Sequence, residues 1–193
     1  MNLVTRAQWG ARPRKGTPTP LNPTGPTAHW EGPHLGTFPP DPCAHKVRGI
    51  QAFHMDGRGW SDIAYNALVC PHGYVFEGRG PGVRSAANGT DAGNDADVAV
   101  CYLGGEGDPF TPEAATAMAD AMHWLSPGGQ RHAHRDWKPT ACPGDTITAW
   151  AHSPAATSGN TNQPTGGFGT MDDTSILDEF ANVTKRTGAQ LEA

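Results

Sequence analysis

Apolar residues between positions 43 and 125 switch repeatedly between the spacing of helices and the spacing of strands, which restricts the chain to a small set of folds. A first helix is predicted over 43–56, where apolar residues recur on one helical face until glycines end the pattern. The residues of that face are Val47, Ile50 and Phe53.

Strands are predicted directly after this helix. Two apolar runs, 64–70 and 74–79, are joined by a short segment that contains Gly73, as in a hairpin. A third run, 97–104, is apolar enough to lie in the middle of a sheet.

A second helix is predicted to begin after Thr111, a suitable N-cap, with Pro112 at its first position. The segment SPGG that follows Leu125 ends it. Because helices alternate with strands, we predict an α/β fold: a single domain with a central mixed β-sheet flanked by helices.

The composition changes after residue 152, where the chain becomes rich in Ser, Thr, Gly, Pro and Asn and loses its apolar period. We therefore expect a folded domain over 1–152 and a flexible linker over 153–171. Apolar residues return at helical spacing in 172–193, which predicts a short amphipathic helical tail. Two roles are open for such a helix. In the first it packs loosely on the domain or stays unpacked, and in the second it binds a partner or a second copy of the chain.

The charge argues against one class of partner. The formal net charge is −5 at pH 7, and the 14 Lys and Arg residues form only one short cluster near the start, which is not the pattern of a nucleic-acid surface. No stretch approaches the roughly 18 apolar residues that span a bilayer, and the segment MNLVTRAQWGARPRK lacks the apolar core of a signal peptide. We expect a monomer that is made in the cytoplasm and has neither a membrane nor a nucleic acid as its partner.

The segment HAHRDWKPTACPGD, residues 132–145, places His134 and Cys142 eight positions apart in a loop stiffened by prolines. Imidazole and thiolate are both good zinc ligands, so this pair predicts part of a metal site. Four cysteines with none in a CxxC pair normally stay reduced in the cytoplasm, which makes Cys142 a free thiol or a metal ligand. The spacing leaves the third ligand open, because His132 would share a strand face with His134 while His29 lies at the end of an early strand.

Three segments, in order over residues 3–150, resemble one known family. They are LVTRAQWGARP, VRGIQAFHMDGRGWSDIAYNALVCPHGYVFEGRG and HRDWKPTACPGD. They are similar to the entry segment, the helix with its glycine turn and hairpin, and the zinc loop of the peptidoglycan-recognition-protein and type 2 N-acetylmuramoyl-L-alanine amidase superfamily. Within it, the chain looks most like a phage endolysin.

The resemblance implies that His29, His134 and Cys142 hold a zinc ion, Zn²⁺. It also implies that Tyr65 is catalytic and that Thr140, two residues before the metal cysteine, assists the chemistry. Three protein ligands leave the fourth zinc position open for water, whose pKa the metal lowers to roughly 7. From the residues alone, Tyr65 can also be a packed aromatic residue on a strand, and Thr140 can cap local backbone.

Four further residues bear on the site. Glu31 is the only carboxylate that is a candidate general base. In the alternative, protons move through the zinc-bound water and Tyr65. Animal relatives usually carry a cysteine bridge around the first helix, whereas Cys43 has no obvious mate. Asn94 would keep a polar group near the binding groove, and Arg84 either pairs with a peptide carboxylate or stays solvated.

The resemblance implies a zinc-dependent amidase that cuts the link between muramic acid and L-alanine in bacterial peptidoglycan, its substrate and partner. As a phage endolysin, the enzyme would collect in the host cytoplasm and act on the cell wall after release at lysis. The alternative is a recognition module that binds peptidoglycan without cutting it. In such relatives the metal cysteine is typically replaced, so Cys142 favours catalysis.

Overall fold

The computed structural model describes residues 1–32, 34, 36 and 42–154. The predicted tail helix and nearly all of the predicted linker lie outside these residues. Within them, no helix combines the length and the apolar character that crossing a bilayer requires.

Six strands in the described part of the chain form one sheet, in the order β1-β4-β3-β5-β2-β6. The strands are β1 Asn2–Val4, β2 Gly25–Gly32, β3 Ala67–Val69, β4 Tyr74–Glu77, β5 Asp97–Gly105 and β6 His132–Ala133. The β3–β4 pair is antiparallel, and the other neighbouring strands run parallel. The predicted mixed sheet is therefore confirmed.

Five α-helices accompany the sheet in the described ranges. They are α1 Pro42–Ala52, α2 Asp91–Ala96, α3 Pro112–Leu125, α4 His134–Trp137 and α5 Gly144–Ala151. The N-cap of α3 is the predicted Thr111, whose hydroxyl accepts a hydrogen bond from the backbone N–H of Ala114 at 3.1 Å.

The first helix ends earlier than the apolar pattern predicts. After α1, residues Phe53–Gly57 form a π-helical turn, whose wider backbone rotates the following side chains away from the helical register. Phe53 is 56% exposed, with the Arg58 guanidinium over its ring, while His54 and Met55 are buried. The prediction that Phe53 shares one helical face with Val47 and Ile50, which are buried, is therefore wrong.

The predicted hairpin is present, but its first strand, predicted over 64–70, is only Ala67–Val69. Asn66, directly before this strand, joins the neighbouring segments through its side chain. Its amide donates to the carbonyls of Gly80 and Val83, and its oxygen accepts from the N–H of Ala99. Its backbone is paired as well, since its N–H donates to the carbonyl of Ala99 and its carbonyl accepts from the N–H of Gly78.

The sheet separates two apolar layers. Alternate residues of β5 point to opposite faces, so Val98, Val100 and Tyr102 pack with α3, while Cys101 and Leu103 pack with α1. As predicted, β5 lies inside the sheet, between β3 and β2, and all nine of its residues are buried. His29 pairs with Cys101 across β2 and β5, which fixes the part of the sheet where the site forms.

Candidate metal centre

Two parallel strands bring the first two candidate ligands together. Ala28 of β2 pairs with Ala133, the last residue of β6, so His29 on β2 and His134 at the start of α4 follow paired positions. Their ring centroids lie 4.5 Å apart. Carboxyl ends of parallel strands meet at one edge of a sheet, which is where α/β proteins commonly place their sites.

Cys142 joins this pair from the loop before α5. Its sulfur lies 3.7 Å from Nδ1 of His29 and accepts a hydrogen bond from the backbone N–H of Trp30 at 3.4 Å. One ligand atom from each of His29, His134 and Cys142 lies within 4.8 Å of the other two. The three donors therefore converge on one point.

Asn88 determines which nitrogen of His29 faces that point. Its side-chain amide donates to the carbonyls of Gly93 and Asp97, at 2.7 Å and 3.0 Å. Its oxygen must then accept from Nε2–H of His29, 2.9 Å away. This hydrogen bond leaves Nδ1 of His29 unprotonated and facing Cys142, as a metal ligand requires.

His134 begins the short helix α4, and both of its ring nitrogens are buried without a hydrogen-bond partner. Unsatisfied buried nitrogens are costly in a protein interior unless something binds them. The backbone leaves room beside the ring, because a Cβ added at Gly89 would lie 2.9 Å from Nε2 of His134.

The protonation states suit a cation. Burial and the nearby His134 lower the pKa of His29 to about 3. Burial and Lys138 lower the pKa of His134 to about 4, so both imidazoles are neutral at pH 7. Burial raises the pKa of the Cys142 thiol to about 11, against the opposing effect of the Trp30 N–H. Two neutral imidazoles and one thiol that a metal would deprotonate fit a zinc ion.

His132, left open as a ligand by the sequence, points elsewhere. Its Nδ1 lies 2.7 Å from the buried carboxylate of Asp97. That carboxylate also accepts from the hydroxyl of Thr27. The expectation that His132 and His134 share a strand face is wrong, because β6 ends at Ala133 and His134 is already helical.

Tyr65 lies just before β3, with its ring centroid 5.5 Å from that of His29. Burial, then the thiols of Cys101 and Cys142, raise its pKa well above the usual value. A protonated phenol therefore stands next to the candidate metal centre at neutral pH.

Thr140 acts on the loop backbone in this structure, because its hydroxyl oxygen accepts from the N–H of Cys142 at 3.2 Å. Glu31 lies two residues after His29 on β2, and its Oε2 is 3.6 Å from Nζ of Lys46. Burial raises the pKa of Glu31, and Lys46 opposes this shift.

The sequence predicts two further polar residues near the binding groove, Asn94 and Arg84. Asn94 supports the metal centre through Asn88, whereas Arg84 is paired with two carboxylates. The side-chain oxygen of Asn94 accepts from the backbone N–H of Asn88 at 3.0 Å, which holds the loop that positions His29. Arg84 is paired with Asp91 and Asp95.

The sequence alone does not indicate Asn88 as a functional residue. The Asn-Gly pair at 88–89 signals a turn, but it does not show which histidine the turn approaches.

Comparison with known proteins identifies relatives of two kinds, peptidoglycan recognition proteins and N-acetylmuramoyl-L-alanine amidases. No protein-family model matches the chain. Peptidoglycan recognition protein 1 of Mus musculus is 30% identical over 165 residues, which cover 78% of this chain and 88% of that protein. An N-acetylmuramoyl-L-alanine amidase of Sus scrofa is 34% identical over 157 residues, which cover 74% of this chain but only 25% of that protein.

Solved structures agree with these relatives. Wild-type PGRP-LB of Drosophila superposes with a TM-score of 0.69 at 25% identity, covering 83% of this chain and 98% of that one. Drosophila PGRP-SD gives a TM-score of 0.66 at 28% identity, covering 76% and 90%. Human PGRP-IβC, solved in complex with a glycosamyl muramyl pentapeptide, gives 0.62 at 27% identity and covers 77% and 93%.

Proposed function

The chain belongs to the family of peptidoglycan recognition proteins and N-acetylmuramoyl-L-alanine amidases, and on that premise we propose that it is a zinc-dependent amidase. Its substrate is bacterial peptidoglycan, and the bond it hydrolyses is the amide between muramic acid and L-alanine. The observation that carries the proposal is the convergence of His29, His134 and Cys142 on one point.

The ligand set distinguishes this centre from an ordinary buried cluster. Both nitrogens of His134 are unsatisfied, and His29 is held in the tautomer that turns a bare nitrogen toward the sulfur of Cys142. A zinc ion held by these three residues would keep an open position for water and would polarise the amide carbonyl of the substrate.

The surrounding residues supply positioning and a proton donor. Tyr65 keeps its phenol proton at neutral pH and stands beside His29, so it can donate to the amide oxygen as negative charge develops there. Thr140 holds the backbone N–H of Cys142, which fixes the loop that carries the sulfur ligand. Asn88 keeps the ring of His29 oriented.

Digestion of purified peptidoglycan tests the proposed bond. We expect new free L-alanine amino termini and no new reducing sugar ends, because cleavage of a glycosidic bond ordinarily uses two carboxylates that flank it. A matched Cys142→Ser variant should release neither. New reducing ends without new amino groups would contradict an amidase.

A second candidate function is recognition without cleavage. It is favoured by solved relatives that hold peptidoglycan fragments, namely tracheal cytotoxin bound to the ectodomain complex of PGRP-LCa and PGRP-LCx, and a muramyl pentapeptide bound to PGRP-IβC. Co-sedimentation of the protein with peptidoglycan that stays intact would support this function in place of the amidase.

We also propose a phage endolysin as the biological setting, with the enzyme held in the host cytoplasm until lysis. The three sequence segments similar to endolysin amidases support this setting. Expression in a susceptible host should leave the cells intact until the membrane is permeabilised, after which the culture should clear. Clearing without permeabilisation would contradict the setting while leaving the amidase untouched.

A further inference from the structure

A second cluster of metal-ligating side chains lies at the start of α1. Cys43, Cys70 and His72 each offer a ligand atom within 4.8 Å of the other two. Both cysteines are free thiols in the structure and are almost fully buried, at 1% and 0% exposure. Cys43, which had no obvious mate in the sequence, thus lies beside a cysteine of the β3–β4 hairpin.

The distances within this cluster are those of a metal site. Nδ1 of His72 lies 3.4 Å from the sulfur of Cys43 and 3.8 Å from the sulfur of Cys70. In a tetrahedral zinc site with Zn–S of about 2.3 Å and Zn–N of about 2.0 Å, a sulfur and a nitrogen ligand lie about 3.5 Å apart. The pair His29 Nδ1 and Cys142 Sγ at the first centre, 3.7 Å apart, shows the same spacing.

Hydrogen bonds can link the three side chains only in pairs. One imidazole nitrogen offers either one proton or one lone pair, so Nδ1 of His72 can make only one good hydrogen bond to two sulfurs. A shared cation uses the lone pairs of all three atoms at once.

The backbone holds the three side chains in place before any ion binds. Cys70 and His72 flank Pro71, whose carbonyl accepts from the hydroxyl of Thr111 at 2.6 Å, so the turn is fixed to the start of α3. Gly73 closes this turn at φ +80°, a conformation that favours glycine. Cys43 enters from the first turn of α1, on the other side of the cluster.

We propose that Cys43, Cys70 and His72 bind a second zinc ion, which joins the start of α1 to the β3–β4 hairpin. Two thiolates and an imidazole are the soft donor set that selects zinc over magnesium or calcium. The role that follows from this position is structural, because the three residues come from two separate elements of the fold.

The test is a zinc count on the full chain by elemental mass spectrometry, which does not depend on any amidase activity. We expect two zinc ions per chain in the parent, one in Cys142→Ser, one in His72→Ala and none in the double variant. His123→Ala, on α3, is the matched control and should keep both. His72→Ala should retain wall-lysing activity, because His72 does not belong to the first centre.

Cobalt substitution gives a second, spectroscopic readout of the same three residues. The Cys142→Ser protein loaded with Co²⁺ should still show thiolate-to-cobalt charge-transfer absorption, and adding His72→Ala should abolish it. A single zinc per chain that His72→Ala leaves unchanged would overturn the proposal. So would an intact mass lower by two hydrogens from a bond between Cys43 and Cys70.

Discussion

Asn88 has the clearest role of any single residue outside the ligand set. Replacing it with Ala removes the acceptor of Nε2–H of His29, so the ring can take either tautomer and either orientation. Zinc affinity should fall about 10- to 100-fold, as it does when partners of metal ligands are removed. Competition with a chromophoric chelator measures this change.

Ser85→Ala is the control for that prediction. Ser85 donates to the side-chain oxygen of Asn94 on α2, which also accepts from the backbone N–H of Asn88, and its hydroxyl has no hydrogen bond to His29. A fall in zinc affinity as large in Ser85→Ala as in Asn88→Ala would show that loop stability matters and that the tautomer does not.

Tyr65→Phe isolates the phenol, since it removes the hydroxyl and keeps the ring that packs near His29 and His54. The variant should bind zinc and unfold at the same temperature as the parent. Its turnover of peptidoglycan should fall on the order of 10²-fold, the usual loss when one oxyanion donor is removed. Undiminished turnover would reduce Tyr65 to a packing residue.

The loop before α2 should affect zinc affinity, because its backbone lies close to His134. Gly89 has φ +76°, and a Cβ there would collide with Cδ of Lys138 and lie 2.9 Å from Nε2 of His134. Gly89→Ala should therefore lower both the unfolding temperature and the zinc affinity. Gly82→Ala carries the same backbone strain at φ +68°, with its nearest contact 3.9 Å away, so it should lower the unfolding temperature alone. Equal zinc affinities in the two variants would argue against a close approach of Gly89 to the metal centre.

The predictable elements are those with a regular apolar period. The helix α3, the β3–β4 hairpin and the central strand β5 follow from local spacing and turn residues. The early end of α1, at a π-helical turn, and the short β3 have no counterpart in the apolar spacing.

The site shows the same division between local and distant signals. Local spacing indicates His134 and Cys142 as a pair, but the third ligand depends on the register between β2 and β6, which only the resemblance could supply. No sequence pattern indicates Asn88, because it acts through side-chain hydrogen bonds to His29, Gly93 and Asp97, which have no period in sequence.

For the whole molecule, the buried histidines make the stability of the metal-free protein depend on pH. The pKa of His29 is lowered to about 3, and burial lowers those of His54 and His134 to about 4. The unfolded chain, with ordinary values near 6.5, therefore binds more protons below that pH. The stabilising contribution is complete above pH 6.5 and is lost as the pH falls toward 4.

Thermal unfolding of the chelated protein measures this dependence. The unfolding temperature should drop between pH 7 and pH 5.5, a window in which carboxylates contribute little. His54→Gln, which removes one of the three groups without touching the metal ligands, should make the slope shallower. An unfolding temperature that stays constant or rises as the pH falls from 7 to 5.5 would mean that the histidines are not buried as described.

Our proposal is specific about bond and metal. The chain would cut the amide between muramic acid and L-alanine with a zinc ion held by His29, His134 and Cys142. The most direct measurement is mass spectrometry of a soluble muramyl peptide incubated with the protein before chelation, after chelation and after zinc is restored. We predict a free stem peptide, its loss on chelation and its return with zinc, and no product at any stage from Cys142→Ser. Full cleavage by zinc-free protein, or a muramyl peptide that is bound and never cut, would contradict the claim.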